Sequence, residues 1–397
     1  MINPTSYETY GERLYQSAES VTLAIGGALM RVWQRIILSP DRVHELESQF
    51  VETARQEARN WHVEWRDWMT DELARAYLNG VMHTEEELNQ LRKKIDVRQP
   101  TKEISAVTPI LLRRPSIKPP VPQKAKEILK KHPKHLTFYE VFAAAAYESL
   151  EGTDVQIVRA SRDIYRDVTI TAGEAHFKES DVFTRRQIAQ RQLDEYAKRG
   201  LQAITYADGR RMSLDVYAEM VGRTMSGHAA IQASLNRYEE YGYDLVRVSS
   251  HFRACPMCTP WEGRILSQSG ASEHYPSLDE AIGDGLFHPN CAHDINPYFP
   301  GLSPEQEIRV DPHERALIEE HGYEQAQRIA YGAQQKQRYI ERNIRKRKRR
   351  ERTSLSRHER AESKSKVSEW QKKQRKHLEE NKFLPRKYVR EQVKRAH

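Results

Sequence analysis

The chain has three cysteines, and all of them fall between Cys255 and Cys291. They are interleaved with histidines in two short stretches, His251-Phe-Arg-Ala-Cys255-Pro-Met-Cys258 and His288-Pro-Asn-Cys291-Ala-His293. Cys-x2-Cys forms a chelating knuckle, because two thiolates on one tight turn both reach a zinc ion at about 2.3 Å. His288-x2-Cys291 repeats that geometry with a borderline nitrogen and a third thiolate. Together Cys255, Cys258, His288 and Cys291 predict a closed tetrahedral site for a single structural zinc. His293 and His251 are alternates for the fourth position. A catalytic zinc keeps one position open for water, and a closed set of four does not. An odd, crowded set of cysteines is unsuited to disulfides and points to a reducing cytoplasm.

A catalytic reading is weaker. A zinc deaminase needs His-x-Glu followed downstream by Pro-Cys-x-x-Cys. Here Glu262 follows Cys258 and Asp284 precedes His288, and neither fits. A toxin-like or nucleic-acid-processing enzyme carrying a zinc module would instead draw Arg223, His228 and Glu262 into one pocket. At their helical spacing, Arg223, Thr224 and His228 read more simply as a packed polar face. No catalytic residue is assigned.

The elements that must hold the cluster can be read outward from it. Leu245-Val-Arg-Val248 is a short strand leading into His251. Trp261-Glu-Gly-Arg264 and Gly283-Asp-Gly-Leu-Phe287 are turns that pack over the site. Ser213 caps a long helix running to Tyr241, and Gly242 ends it. Before it, Ala203–Tyr206 and Arg210–Ser213 flank Ala207-Asp-Gly209 as a hairpin. Helical patterning covers Leu136 to Lys198, with Gly200 as its C-terminal stop. Nearer the N-terminus, Ser39-Pro40-Asp41 starts a helix. Its apolar stripe is Val43, Leu46, Phe50, Ala54, Trp61, Trp65 and Trp68, read as core or as a docking face. Thr84-Glu-Glu-Glu87 fits a capping box and so predicts another helix start. Pro100, Pro109, Pro115, Pro119, Pro120 and Pro122 make an extended strap.

These signals divide the chain into an N-terminal helical domain (1–98), a proline-rich linker or strap (99–125), a helical segment (126–200), an α+β knob with the zinc cluster (201–300) and a basic helical tail (301–397). The predicted class is mainly α with a small α+β C-terminal zinc-binding knob, in an elongated multi-segment architecture. Hydrophobic residues are 38% and charged residues 30% of the chain, against about 45–50% and 25% for ordinary globular chains. The apolar stretch Val21–Met30 is too short to cross a bilayer, so a buried helix is expected and no membrane partner.

Net charge is +8, but it is unevenly spread. From Lys336 to His397 there are 24 lysines and arginines against 8 glutamates, a net of +16, and the remainder sums to −8. Arg345, Lys346, Arg347, Lys348, Arg349 and Arg350 form an unbroken cationic run. Such a tail suits a polyanion, either double-stranded DNA or an acidic protein surface. No base-reading motif accompanies it, so DNA binding would be without sequence specificity.

Several motifs resemble phage minor capsid protein 2. They are Arg223-Thr224, Asp244-Leu-Val-Arg-Val-Ser-Ser-His251, Cys258-Thr-Pro-Trp-Glu-Gly263, and Gly285-Leu-Phe-His-Pro-Asn-Cys-Ala-His293, with Pro297-Tyr298 and Pro300-Gly301. Gln337-Arg338, Glu341-Arg342, Ile344-Arg345-Lys346 and Trp370-Gln371 in the tail resemble it too. The likeness covers most of the chain and is densest from Gly200 onward. It emphasises His251, Cys258, Cys291 and His293, whereas Cys255 and His288 follow the related head morphogenesis proteins of the phage Mu F type. The resemblance implies a low-copy virion protein and not an enzyme, assembled in the host cytoplasm and placed in the head interior or portal region. It implies contact with portal protein, with major capsid or scaffolding protein, and with packaged DNA.

Overall fold

A computed structural model describes residues 4–92, 133–177, 182–303 and 310–393. The proline strap lies outside the described residues. What remains is mainly helical, with a small α+β region around the cysteines. The helices are α1 (Pro4–Leu38), α2 (Val43–Trp68), α3 (Ala74–Arg92), α4 (Pro133–Leu150), α5 (Thr153–Phe177), α6 (Val182–Arg199), α7 (Leu214–Glu240), α8 (Leu278–Gly283), α9 (Pro312–His321), α10 (Tyr323–Arg352) and α11 (Arg357–Glu380). A π turn over Met69–Leu73 joins α2 to α3. The strands are β1 (Ile204–Thr205) and β2 (Arg211–Met212), a hairpin, and β3 (Leu245–Val248), β4 (Ile265–Ser267) and β5 (Ile295–Pro297). The last three form an antiparallel sheet of order β4-β3-β5.

The chain forms two compact units, and neither is a single stretch of sequence. One is built from residues 1–14, 65–150 and 219–331, the other from 15–64, 151–218 and 332–397. In the first, Tyr139 and Tyr77 keep their buried hydroxyls paired. Tyr139 donates to the Met69 carbonyl at 2.7 Å, and the Tyr77 hydroxyl meets His135 Nδ1 at 3.0 Å and accepts from Asn236 at 2.8 Å. A buried hydroxyl without a partner would cost about 1–3 kcal/mol, so these bonds fix how α3, α4 and α7 pack. Glycines let backbones close on α7. A Cβ at Gly11 would lie 2.8 Å from the Arg223 nitrogen, and Gly80 sits against the Ala230 carbonyl.

In the second unit, Trp61 donates to Thr153 Oγ1 at 2.8 Å and Tyr196 donates to the Thr22 carbonyl at 2.5 Å. Trp61 is buried here, as Trp65 and Trp68 are in the first unit, so the tryptophan stripe is core of this chain and not a docking face. Helix α1 extends the apolar stretch well past Val21–Met30. Gly11–Leu38 is long and apolar enough to cross a membrane by length and composition, so the apolar stretch is longer than expected, while the expected buried helix stands. Its side chains Ala18, Val21, Ile25, Leu29, Val32, Trp33 and Ile36 are nevertheless buried within the protein.

Other boundaries follow local chemistry. Gly200 closes α6 at φ 71°, which glycine adopts without steric cost. Asp311 with Glu314 and Ser356 with Glu359 form capping boxes that start α9 and α11. Thr84-Glu-Glu-Glu87 does not start a helix. It lies inside α3, where Thr84 is buried and Glu87 accepts from the Tyr238 hydroxyl at 2.9 Å.

Candidate metal centre

Strand β3 and its partners β4 and β5 position the cluster. Their inward side chains Val246, Val248, Leu266 and Ile295 join Ile231, Leu235 and Tyr238 of α7 and Leu278 and Ala281 of α8 in one core, which also takes in Cys258. After β3 the chain turns tightly. Cys258 N and Thr259 N donate to the Cys255 carbonyl at 3.1 and 3.0 Å, so both thiols leave the same turn. The opposite loop, His288 to His293, runs into β5.

That loop is held from α7. Arg223 donates to Asn290 Oδ1 at 3.1 Å, Asn290 N donates to Thr224 Oγ1 at 3.2 Å, and the His228 ring meets the Phe287 carbonyl at 2.8 Å. Phe287 and Asn290, on either side of His288 and Pro289, adopt left-handed φ values of 59° and 69°. For residues with a Cβ this conformation costs about 1–2 kcal/mol. Arg223, Thr224 and His228 therefore do more than pack as a polar face: they hold the backbone that presents His288 and Cys291.

The result gathers the predicted ligands into two overlapping groups that share Cys258. Cys255 Sγ lies 3.0 Å from His288 Nε2, and Cys258 Sγ lies 3.5 Å from Cys291 Sγ. Cys255, Cys258 and His288 offer ligand atoms all within 4.8 Å of one another, and so do Cys258, Cys291 and His293. His293 places Nδ1 3.4 Å from Cys291 Sγ, while its Nε2 lies 3.2 Å from Glu262 Oε1. His251 is not grouped with the cysteines; its ring lies tilted by 32° against that of His293, with centroids 4.2 Å apart.

The electrostatics match the geometry. A hydrogen bond from Cys258 and the nearby His288 pull the Cys255 thiol down to about 3, and Cys258 and His293 likewise hold Cys291 at about 4. Cys258, between two thiolates, keeps its proton, and its pKa is raised by those same hydrogen bonds. Thiolate Cys255 in turn raises His288 to about 9. Against burial, Cys291 and Glu262 likewise raise His293 to about 9, so each thiolate is paired with an imidazolium, and a soft divalent cation would bind here by displacing those protons.

Two supports escape simple motif reading. Glu262 accepts from His251 N at 2.7 Å and from Gln327 Nε2, on α10, at 2.9 Å. Arg223, His228 and Glu262, the group an enzyme would bring into one pocket, are each engaged with these loops.

The family model for phage minor capsid protein 2 matches residues 130–379. The chain belongs to that family. A "Structural protein" of Lactococcus phage LL-H is 29% identical over 217 residues, which are 50% of this chain and 54% of that protein. The chain thus spans about half the length of this curated relative. No solved structure matches. The match places this minor capsid chain among phage structural proteins of the virion. It takes in the whole cysteine cluster and continues almost to the end of α11.

The cationic run is placed differently from its expected role as a continuous basic strip. Arg345 and Arg349 are each 5% exposed. Arg345 donates to the Arg390 carbonyl at 2.7 Å, and Arg349 pairs with Glu19 at 3.0 Å and Asp215 at 3.2 Å. Lys348 donates to the Glu391 carbonyl and Arg350 to Asp194 at 2.7 and 2.8 Å. Lys346 and Arg347 are half-buried. A helix spreads adjacent residues about 100° apart, so a run of six faces every direction, the core included. Exposed cations are more numerous on α11, at Arg357, Arg360, Lys364, Lys372, Lys373, Arg375 and Lys376, than on α10, which exposes Arg328, Lys336, Arg342 and Arg352.

Proposed function

We propose that this minor capsid protein is a low-copy, non-enzymatic component of the phage head, docked near the portal on portal, major capsid or scaffolding protein. Its α+β knob is clamped by one zinc ion on Cys255, Cys258, Cys291 and His288. The zinc reading is carried by two overlapping groups, Cys255, Cys258 and His288 and Cys258, Cys291 and His293, which share Cys258 between two opposed loops. His288 takes the fourth position because it already lies against Cys255 Sγ, while the His293 ring is shared with Glu262. His293 and His251 remain the alternates that a ligand-by-ligand test must exclude. The ion would tie the turn after β3 to the loop before β5, and a loop-rich knob draws folding energy from such a tie.

On the same reading, α11 meets packaged DNA or an acidic subunit surface through its exposed lysines and arginines, without reading sequence. A role in head morphogenesis predicts the protein in purified heads, at far fewer copies than the major capsid protein, by quantitative mass spectrometry. An abundant soluble pool with none in heads would refute it. For the clamp, thiol modification of the full chain should release about one zinc, and Cys255→Ser with Cys258→Ser should abolish that release. Zinc still released by thiol modification of the double variant would refute the ligand set.

A further inference from the structure

We infer that His251, Glu262 and His293 form a second divalent-cation site, separate from the cysteine cluster and built from two imidazoles and a carboxylate. Their ligand atoms all lie within 4.8 Å of one another. They come from three points of the chain: His251 beyond the end of β3, Glu262 at the end of the 3-10 turn Thr259–Trp261, and His293 just before β5. Two histidines with one carboxylate suit borderline first-row cations such as zinc or cobalt, and they leave coordination positions for water.

Three observations favour a cation over a plain hydrogen-bond network. His251 Nε2 is buried and has no hydrogen-bond partner, although a buried ring nitrogen ordinarily finds one. An ion between the three side chains would satisfy it. The carboxylate is already oriented, since Oε1 accepts from His251 N and Oε2 accepts from Gln327 Nε2. Outer hydrogen bonds of this kind fix a metal-binding carboxylate in its working direction. Finally, the His293 ring presents a different nitrogen to each neighbour, Nδ1 to Cys291 Sγ at 3.4 Å and Nε2 toward Glu262 at 3.2 Å. A ligating imidazole characteristically engages an acceptor with its second nitrogen, and Cys291 Sγ fills that place. The side chains are enclosed as well: that of His293 is 1% exposed and that of Glu262 8%. An ion here would staple the end of β3, the 3-10 turn and the start of β5, adding a second cross-link to the same knob. No sulfur is among its ligands, although Cys291 Sγ touches His293 Nδ1 from behind.

The test is equilibrium dialysis of the zinc-loaded full-length chain against cobalt(II) under reducing conditions, read by elemental analysis and the visible spectrum. About two ions per chain are expected, the added cobalt lacking thiolate charge-transfer absorption. His251→Phe removes a ligand without removing a side-chain hydrogen bond. It should lose the sulfur-free ion and keep the thiolate-bound one, with an unchanged far-UV circular dichroism spectrum. Glu262→Gln, close in shape to the carboxylate, repeats the test should the first variant fold poorly, and should weaken cobalt binding by at least about 10-fold. A wild-type chain holding a single, thiolate-bound ion overturns the second site and leaves the zinc clamp standing. So does undiminished cobalt binding in both variants. A single sulfur-free ion, indifferent to Cys258→Ser and lost in His251→Phe, establishes this site and removes the cysteine clamp instead.

Discussion

Replacing Glu19 by glutamine should flatten the pH dependence of stability between about pH 4.5 and 7. Glu19 and Asp215 share one guanidinium, Arg349, at 3.0 and 3.2 Å, and all three side chains are at most 6% exposed. One cation cannot neutralise two carboxylates. Burial would raise Asp215, but Arg349 and then Arg345 outweigh it and hold its carboxyl below the usual 3.8. Glu19 goes the other way: burial, with Asp215 as a like-charged neighbour, raises it from 4.5 to about 7 against the pull of Arg349 and Arg345. The neighbouring hydroxyls of Tyr15 and Tyr196 are raised by burial and stay neutral throughout. Because its folded pKa is raised, Glu19 contributes stability that is complete below pH 4.5 and lost as pH rises toward 7, since the unfolded chain gives up the proton first. At about 1.4 kcal/mol per pH unit, the loss is about 3 kcal/mol. Glutamine mimics the protonated carboxyl and cannot ionise. Asp215 titrates below this window, so its stabilisation is lost only in stronger acid. Urea midpoints of both proteins, measured across the window, should diverge by that amount, with the variant the more stable at neutral pH. Parallel curves, or a variant that loses ground as pH rises, would mean that Glu19 is an ionised partner of Arg349 and that the charge argument is wrong.

The same triad predicts that Arg349→Met costs about 3–5 kcal/mol, because it leaves two buried carboxyls without their cation; a loss below about 1 kcal/mol in denaturant titration would contradict this. Asn290→Ala should cost about 1–2 kcal/mol more than Asn290→Gly, since both remove the hydrogen bond from Arg223 but only alanine meets the left-handed φ of 69°; equal midpoints would show the loop to be unstrained. For the tail, changing Lys372, Lys373, Arg375 and Lys376 to glutamine should shallow the salt dependence of DNA binding, by about 0.9 in log–log slope for each phosphate no longer neutralised. An unchanged slope would place the polyanion contact elsewhere.

What the sequence reveals, and what it hides, follows from how local each signal is. Caps, the hairpin turn and the stripe from Val43 to Trp68 are local or periodic, and they appear where expected. The Thr84 capping box is equally local but misleads, because Tyr238, far along the chain, takes Glu87 as its acceptor and helix α3 runs straight through. Charge counting misreads Arg345–Arg350 for a related reason. Composition carries no direction around a helix, although the spacing does: Glu341, Arg345 and Arg349 recur every four residues on one face, beside buried Ile344. What cannot be seen is that Glu19 and Asp215 wait for Arg349. Nor do the sequence divisions, which follow the chain in order, anticipate units each assembled from three separated segments. The metal centre shows the same asymmetry. Cysteine and histidine are sparse, so their spacing alone exposes the ligands. The groups that hold those ligands are an arginine, a threonine, a glutamate and a glutamine, Gln327 among them, of kinds that every exposed helix carries. Their roles depend on long-range contacts, and only the folded chain distinguishes them from surface.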